Sequence, residues 1–192
     1  DVRMGDGSVV TAHCPNTGSM KNCAETDQVV WLSTSDKAGR KYKYTWEYIQ
    51  TSKGHTIGVN TGRANQLVAD AVAAGRVPEL GGYRELHREK KYGAENSRID
   101  LLLKHPSRMD CYVEVKSVTF LEEPVSRGIG YFPDAVSDRG AKHLRELAAM
   151  AKGGQRAVLF FCVQHTGIRE VRPADHIDAR YGELLRNAAA VG

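Results

Sequence analysis

The stretch "SRIDLLLKHPSRMDCYVEVKSV", Ser97 to Val118, sets two apolar runs on either side of a turn. Each run has the length and apolar density of a strand in a packed sheet. Three charges interrupt them: Asp100 in the first run, Glu114 and Lys116 in the second. Side chains alternate along a strand, so Glu114 and Lys116 share one face and Val113 and Val115 the other. A hairpin brings Asp100 beside Glu114. Charges in strands buried on at least one side are costly unless paired or bound to metal. Two converging carboxylates repel each other unless a cation joins them, and a hard divalent ion with oxygen ligands does so. A lysine two residues on can stabilise a pentavalent phosphate or orient an attacking water. Asp100, Glu114 and Lys116 are therefore candidate catalytic residues for metal-assisted phosphodiester hydrolysis. Asp100 and Glu114 would hold Mg2+ or Mn2+. The Glu-x-Lys triplet alone is common on solvated strand faces; the apolar setting gives it weight.

The chain of 192 residues is long enough for one domain, or one domain with a small companion. Its composition, 41% hydrophobic and 26% charged, is that of a globular protein with an ordinary core. A formal net charge of +4 permits a polyanionic partner without requiring one. The longest apolar run, Ala157–Val163, is strand-length, well short of the roughly 20 residues of a membrane helix, so no membrane partner is expected. The first residue is Asp1, which suggests a trimmed start from which an export signal could have been lost. Cys14, Cys23, Cys111 and Cys162 show neither the close pairing of zinc ligands nor a disulfide framework. They read as reduced thiols in a cytoplasmic protein.

Residues 1–60 read as all-β. "GSVVTAHC" and "DQVVWLST" are short β-branched runs separated by the loop "PNTGSMKN". "RKYKYTWEYIQ", Arg40–Gln50, alternates strictly, with Tyr42, Tyr44, Trp46 and Tyr48 on one face. "HTIGVN" reads as its hairpin partner after a turn at Ser52–Gly54. Short strands at this spacing suggest a small barrel. Residues 61–192 follow the order α-β-β-β-α-β-α. A first helix starts near Gly62, with Thr61 as possible cap, and Gly75 and Pro78 stop it. Three strands and a loop over Leu121–Ser137 follow. A second helix starts near Asp138, the expected cap, and Gly153 ends it. "RAVLFFCVQH" reads as a buried strand, and a last helix is expected around Ile177–Ala190.

Basic residues cluster in both halves. Lys37, Arg40, Lys41 and Lys43 stand among tyrosines and Trp46; Arg88 and Lys90 precede the acidic hairpin. Cations hold phosphates and aromatics stack on bases, although the simpler reading turns the aromatics inward and the lysines outward. On the second helix Arg139, Lys142, His143 and Glu146 form one polar face, which points at phosphate or, as is usual, at water. The candidate nucleic-acid contacts are therefore Lys37, Arg40, Lys41, Lys43, Arg88, Lys90, Lys142 and His143. Glu95 is a possible further metal ligand, though it reads more simply as a loop residue. Pro133–Asp134 reads as loop chemistry leading into the second helix.

"LHREKKYGAENSRIDLLL", "CYVEVKSVT", "YFPDAVSDRGAKHLREL" and "HCPNTGSM" together resemble the bacterial sugar fermentation stimulation protein A family across essentially the whole chain. The resemblance implies an N-terminal OB-like β-barrel followed by a PD-(D/E)xK nuclease-like αβββαβ domain, an α+β and α/β architecture. It also implies DNA as partner, with low sequence preference, and a regulatory role linked to sugar, notably maltose, metabolism. The nuclease-type positions match Asp100, Glu114 and Lys116, with Ile99 where the pattern has proline, while Asp70 and Glu95 compete for a helix acid. Family members run longer at both ends, so part of the first barrel strand and the last elements of the nuclease-like sheet are expected to be missing. Three functions follow: a DNA-binding regulator, a metal-dependent endonuclease, or an interaction module in which the charges are structural.

Overall fold

The computed structural model describes residues 1–122 and 127–192. β1 (Val2–Arg3) and β2 (Val9–Val10) pair antiparallel as a small hairpin. β3 (Ala12–His13) runs parallel to β5 (Tyr44–Gln50), whose other neighbours, β4 (Val30–Thr34) and β6 (Thr56–Gly58), are antiparallel. The expected hairpin of "HTIGVN" on the preceding strand is thus present. Among the described residues these strands form an open sheet and a separate hairpin, not a closed ring.

β5 begins at Tyr44, and residues 35–43 form the β4–β5 loop, so Lys41 and Lys43 lie outside the strand. The aromatics do not fill the core as the inward reading expects, although Trp46 packs at the margin of the Cys23, Ile49, Ile57 and Val59 cluster. Thr45, Glu47 and Ile49 are the buried residues of β5, Tyr44 and Trp46 are half-buried, and Tyr48 is exposed. The cause is Glu47. Its carboxylate accepts from Ser33 Oγ at 2.6 Å, Asn60 Nδ2 at 3.0 Å and Arg63 Nη2 at 3.1 Å. A carboxylate with that many donors is stable inside, and strand parity then puts the aromatics outside. Burial opposes its ionisation; the bonds from Arg63, Ser33 and Asn60 outweigh burial and hold the carboxyl below its ordinary range.

α1 (Gly62–Ala73) follows, with Thr61 at its N-cap position but no side-chain cap bond. β7 (Glu85–Tyr92), β8 (Ser97–His105) and β9 (Arg108–Val118) form an antiparallel meander, and β12 (Arg156–Val163) runs parallel to β9 at the edge. α1 covers one face: Ala64, Val68 and Ala69 pack with Leu101, Leu103, Cys111, Val113 and Val115. Leu101, Leu103 and Val113 are at most 1% exposed, each contributing about 1.5–3 kcal/mol of burial. That floor fixes the register of the hairpin. α2 (Asp138–Lys152) covers the other face, where Leu147 packs with Tyr92 and Ile99, and α3 (Ala179–Ala189) packs on α2.

Several elements differ from the sequence reading. The cap of α2 is Ser137, whose side chain accepts from Gly140 N–H; Asp138 is in the first turn. β12 is half-buried rather than buried, because it stands at the sheet edge. The loop expected over Leu121–Ser137 falls partly on residues 123–126, which lie outside the described residues. Its described part takes in the last residue of β10 (Phe120–Leu121) and all of β11 (Ile129–Phe132). With β13 (Glu170–Pro173) these form a small second sheet.

The two halves are joined by backbone. Gly58 N–H donates to Gln164 O at 2.8 Å and Thr166 N–H to Thr56 O at 3.0 Å. Asp134 accepts from Ser19 N–H at 3.0 Å and from Ser19 Oγ at 2.8 Å. His165 sits at this seam, 7% exposed, its Nδ1 accepting from Gly167 N–H at 2.9 Å. Burial, then the neighbouring His55, pushes its pKa down to about 4 from 6.5. A depressed pKa favours the neutral ring in the fold, so its stability is full above pH 6.5 and is lost as pH falls toward about 4. The thermal midpoint should therefore fall between those pH values. His165→Asn, whose Oδ1 can accept the same N–H, should show a smaller fall.

Candidate nuclease-type site

β8 and β9 stay in register from Leu103–Cys111 to Leu101–Val113. Beyond that pair the strands part, and the Asp100 side chain takes over the ladder: Val115 N–H donates to Asp100 Oδ2 at 2.7 Å. Its other oxygen, Oδ1, accepts from Asn65 Nδ2 on α1 at 2.6 Å. On the opposite side, Glu89 stands in β7 between the pairs Arg88–Leu101 and Lys90–Ile99, with φ of 53°. A left-handed residue inside a strand is a local distortion, here directly across from Asp100.

Glu114 is 3% exposed. Its Oε1 accepts from Lys116 Nζ at 2.7 Å and contacts His143 Nδ1 on α2. Lys116 Nζ is also 3.1 Å from His143 Nδ1. An ammonium only donates, so the consistent arrangement has both Lys116 and the Nδ1–H of His143 donating to the carboxylate. Burial opposes ionisation of Glu114, but the bond from His143 and the charge of Lys116 prevail and hold its carboxyl below the ordinary range. Oε2 of Glu114 is buried with no hydrogen-bond partner among the described residues. Asp100 goes the other way. Burial first, then the charge of Glu114, push its carboxyl up to about 6.

Asp100, Glu114 and Lys116 are thus brought together as the strand parity predicts. No three His, Cys, Asp or Glu side chains among the described residues converge as a metal cage. Two carboxylates nonetheless suit Mg2+ or Mn2+, which keep waters and take substrate phosphates as further ligands. The orphaned Glu114 oxygen and the mutual repulsion of the two acids fit such an ion.

The polar face of α2 is split: Arg139 is exposed and Lys142 half-buried, while His143 and Glu146 are turned inward. His143 is 5% and Glu146 3% exposed, both turned to the sheet. His143, read as a nucleic-acid contact, is instead a partner of Glu114, because the acidic splay needs donors from α2. Glu146 accepts Glu95 N–H at 2.9 Å, while Glu95 itself is in the β7–β8 turn, its carboxylate paired with Arg145 at 3.0 Å. Asp70 is exposed and accepts from Gln66 at 2.7 Å, so neither acid enters the site.

Around it opens a cleft of about 660 Å³, lined by Asn65, Glu89, Arg98, Asp100, Arg139, Lys142, His143 and Arg145 among others. Lys142 is half-buried and donates to Glu95 O; Arg88 donates to Gln66; Lys90 is exposed on β7. Lys37, Arg40, Lys41 and Lys43 are exposed in the β4–β5 loop, Arg40 reaching Thr45 Oγ1 at 2.7 Å. Asn65 and Glu89 are site-lining residues that sequence reasoning missed. The available signal for Asn65 was a polar residue beside the apolar stripe of Ala64, Val68 and Ala69.

A small β-domain preceding an α/β sheet with paired acids and a lysine at a strand splay defines a two-domain protein with a restriction-endonuclease-like second half. The family model described as the SfsA N-terminal OB domain matches residues 1–59, and that of the sugar fermentation stimulation protein RE domain matches residues 62–192. The chain belongs to the sugar fermentation stimulation protein family. It is 59% identical over 188 residues to a sugar fermentation stimulation protein homolog of Shewanella pealeana, covering 98% of this chain and 79% of that protein. A homolog of Shewanella loihica is 58% identical over 192 residues, covering all of this chain and 80% of the relative. Among solved structures, Pyrococcus furiosus SfsA in complex with Ca2+ matches with a TM-score of 0.84 at 26% identity, over 97% of this chain and 77% of that one.

Proposed function

We propose that the protein binds DNA with little sequence preference, and that its role in sugar, notably maltose, metabolism runs through that binding. Exposed cations on the β4–β5 loop and in the cleft offer phosphate contacts without a base-reading element. A second reading, metal-dependent endonuclease activity, is favoured by one observation: Asp100, Glu114 and Lys116 meet at one splay, and Asp100 lines a cleft that bears Arg98, Arg139 and Lys142. The Ca2+ in the Pyrococcus structure supports a divalent site in this chain as well.

Asp100 and Glu114 would hold Mg2+ or Mn2+, which supplies Lewis-acid charge at the phosphate and a water of lowered pKa. Asn65 and Val115 N–H orient Asp100; His143 orients Glu114. Lys116 places a cation where phosphate charge develops. The cleft arginines position the backbone. Cations held on phosphates read no base, which is why the reading carries no sequence preference.

The test is supercoiled plasmid with Mn2+, wild type beside Asp100→Asn, on a native gel. Nicking by the wild type alone is the outcome expected of the endonuclease reading. Retardation without nicking in both lanes leaves a DNA-binding protein on a nuclease-like scaffold. Unshifted, intact plasmid at low salt contradicts both readings.

A further inference from the structure

At the seam between the two halves lies a small cavity that the acidic splay does not use. Its volume is about 200 Å³, the room of about seven water molecules, which admits one ring-sized ligand and no polymer. The first half contributes Asn16, Thr17 and Thr61, and the second Ser117, Thr119 and Asp134. Phe120, Tyr131 and Phe132 supply an apolar wall. Aromatic walls with a few placed polar groups are the ordinary make-up of a small-molecule site.

The polar groups have capacity left for a ligand. Asp134 Oδ2 accepts from Ser19 N–H at 3.0 Å and from Ser19 Oγ at 2.8 Å, while Oδ1 accepts from no donor among the described residues. Asn16 Oδ1 accepts Gly18 N–H at 2.8 Å, which leaves its Nδ2 to donate. Thr61 stands at the N-cap position of α1, but its side chain makes no cap bond. Thr17 is exposed. A hydroxyl donates or accepts as its partner needs, so this lining can meet both kinds of group.

Charge and shape narrow the ligand. Among the described residues that line the cavity there is no lysine, arginine or histidine, and there is one acid, Asp134, so an anion meets repulsion without a cationic partner. A cation seeking the aromatic wall meets Lys21, whose Nζ already stands over Phe120, 5.5 Å from the ring centroid. A purely apolar ligand would leave the carboxylate and hydroxyls unpaired. A flat base calls for a parallel slot, whereas Phe120 and Tyr131 are tilted by 48° with centroids 6.3 Å apart. We propose that the seam cavity binds a neutral monosaccharide in its ring form, with hydroxyls on Asp134 and Asn16 and the C–H face of the ring on the aromatic wall. The site lies apart from the splay and depends on neither reading of it. A ligand held by residues of both halves stabilises the joined, folded form.

The test is calorimetric titration of the full chain with D-glucose, D-galactose and D-mannose, beside inorganic phosphate and thymidine. Wild type is compared with Asp134→Asn and with Thr17→Val/Thr61→Val. At least one hexose should bind the wild type saturably and raise its thermal midpoint. Asp134→Asn should weaken that binding by about tenfold or more, and the valine pair by roughly three- to tenfold. Ligand-free midpoints should agree, because asparagine keeps an acceptor for Ser19 and Thr61 has no cap bond to lose. If Asp134→Asn nonetheless melts lower, the valine pair decides. Failure of all three hexoses to bind overturns the inference. Equal hexose affinity in wild type and the valine pair overturns it as well. Phosphate bound more tightly than any hexose assigns the cavity to anions, and thymidine bound without the hexoses assigns it to bases; either result overturns it.

Discussion

Replacing Lys116 by Met is expected to lower plasmid cleavage in Mn2+ by about 10²–10³-fold, the usual cost of removing one positioned donor from a site of charge development. Retardation of the same plasmid should change little. The Lys116 side chain is 11% exposed and donates to Glu114 Oε1 at 2.7 Å, so it is not one of the surface cations that release counterions. The fold should survive, because His143 stays on Glu114 after the lysine is gone. Breaking a buried pair usually costs about 3–5 kcal/mol, and the remaining donor puts this variant at or below the lower end. Lys116→Arg separates the two roles: it keeps the charge beside Glu114 but moves the donor, so stability should return and cleavage should not. Loss of retardation in Lys116→Met, at unchanged thermal midpoint, would place the lysine in DNA binding instead.

Asp100→Asn is expected to make the metal-free protein more stable at neutral pH. The wild-type carboxyl has its pKa at about 6, above the ordinary 3.8, through burial and the charge of Glu114. A raised carboxyl pKa means that the folded state holds the proton more tightly. The stability so contributed is present below pH 3.8 and is lost as pH rises through about 6. Asparagine removes the charge and can still accept Val115 N–H. For a chain of this size each 1 kcal/mol moves the midpoint by about 2–4 °C. The variant should therefore melt higher than wild type at pH 7 in chelator, with the gap closing as pH is lowered toward 4. Equal midpoints at pH 7 would mean that the two acids do not oppose each other.

The hairpin was readable because period-two alternation specifies which residues share a face, and because charges in apolar runs have few stable explanations. The same arithmetic could not say which face of the first-domain sheet is inward. Tyr44, Trp46 and Tyr48 look like core residues by composition. The outcome turned on Glu47, whose donors come from two segments distant in sequence, Ser33 on β4 and Asn60 and Arg63 at the start of α1. On α2 the polar stripe of His143 and Glu146 has the spacing of a solvated face. His143 is buried on Glu114 and Glu146 on the Glu95 N–H of the β7–β8 turn, facts of tertiary packing that helical periodicity does not contain. β11 falls in the stretch expected as loop, and β10 and β13 are as short, two to four residues, so none of them carries a periodicity. The expected first domain matches an OB-domain model; among the described residues its strands form an open sheet and a hairpin, which strand spacing does not distinguish from a closed ring.

On the proposed reading, the splay between β8 and β9 holds a divalent cation on Asp100 and Glu114. Its most direct test is a calorimetric titration of the chelator-treated protein with Mn2+, wild type beside Asp100→Asn, at pH 7 and without nucleic acid. One saturable site in the wild type, lost in the variant, is the predicted result. Equal heats and equal affinity in the two proteins, or a wild type that binds no ion at all, would contradict it.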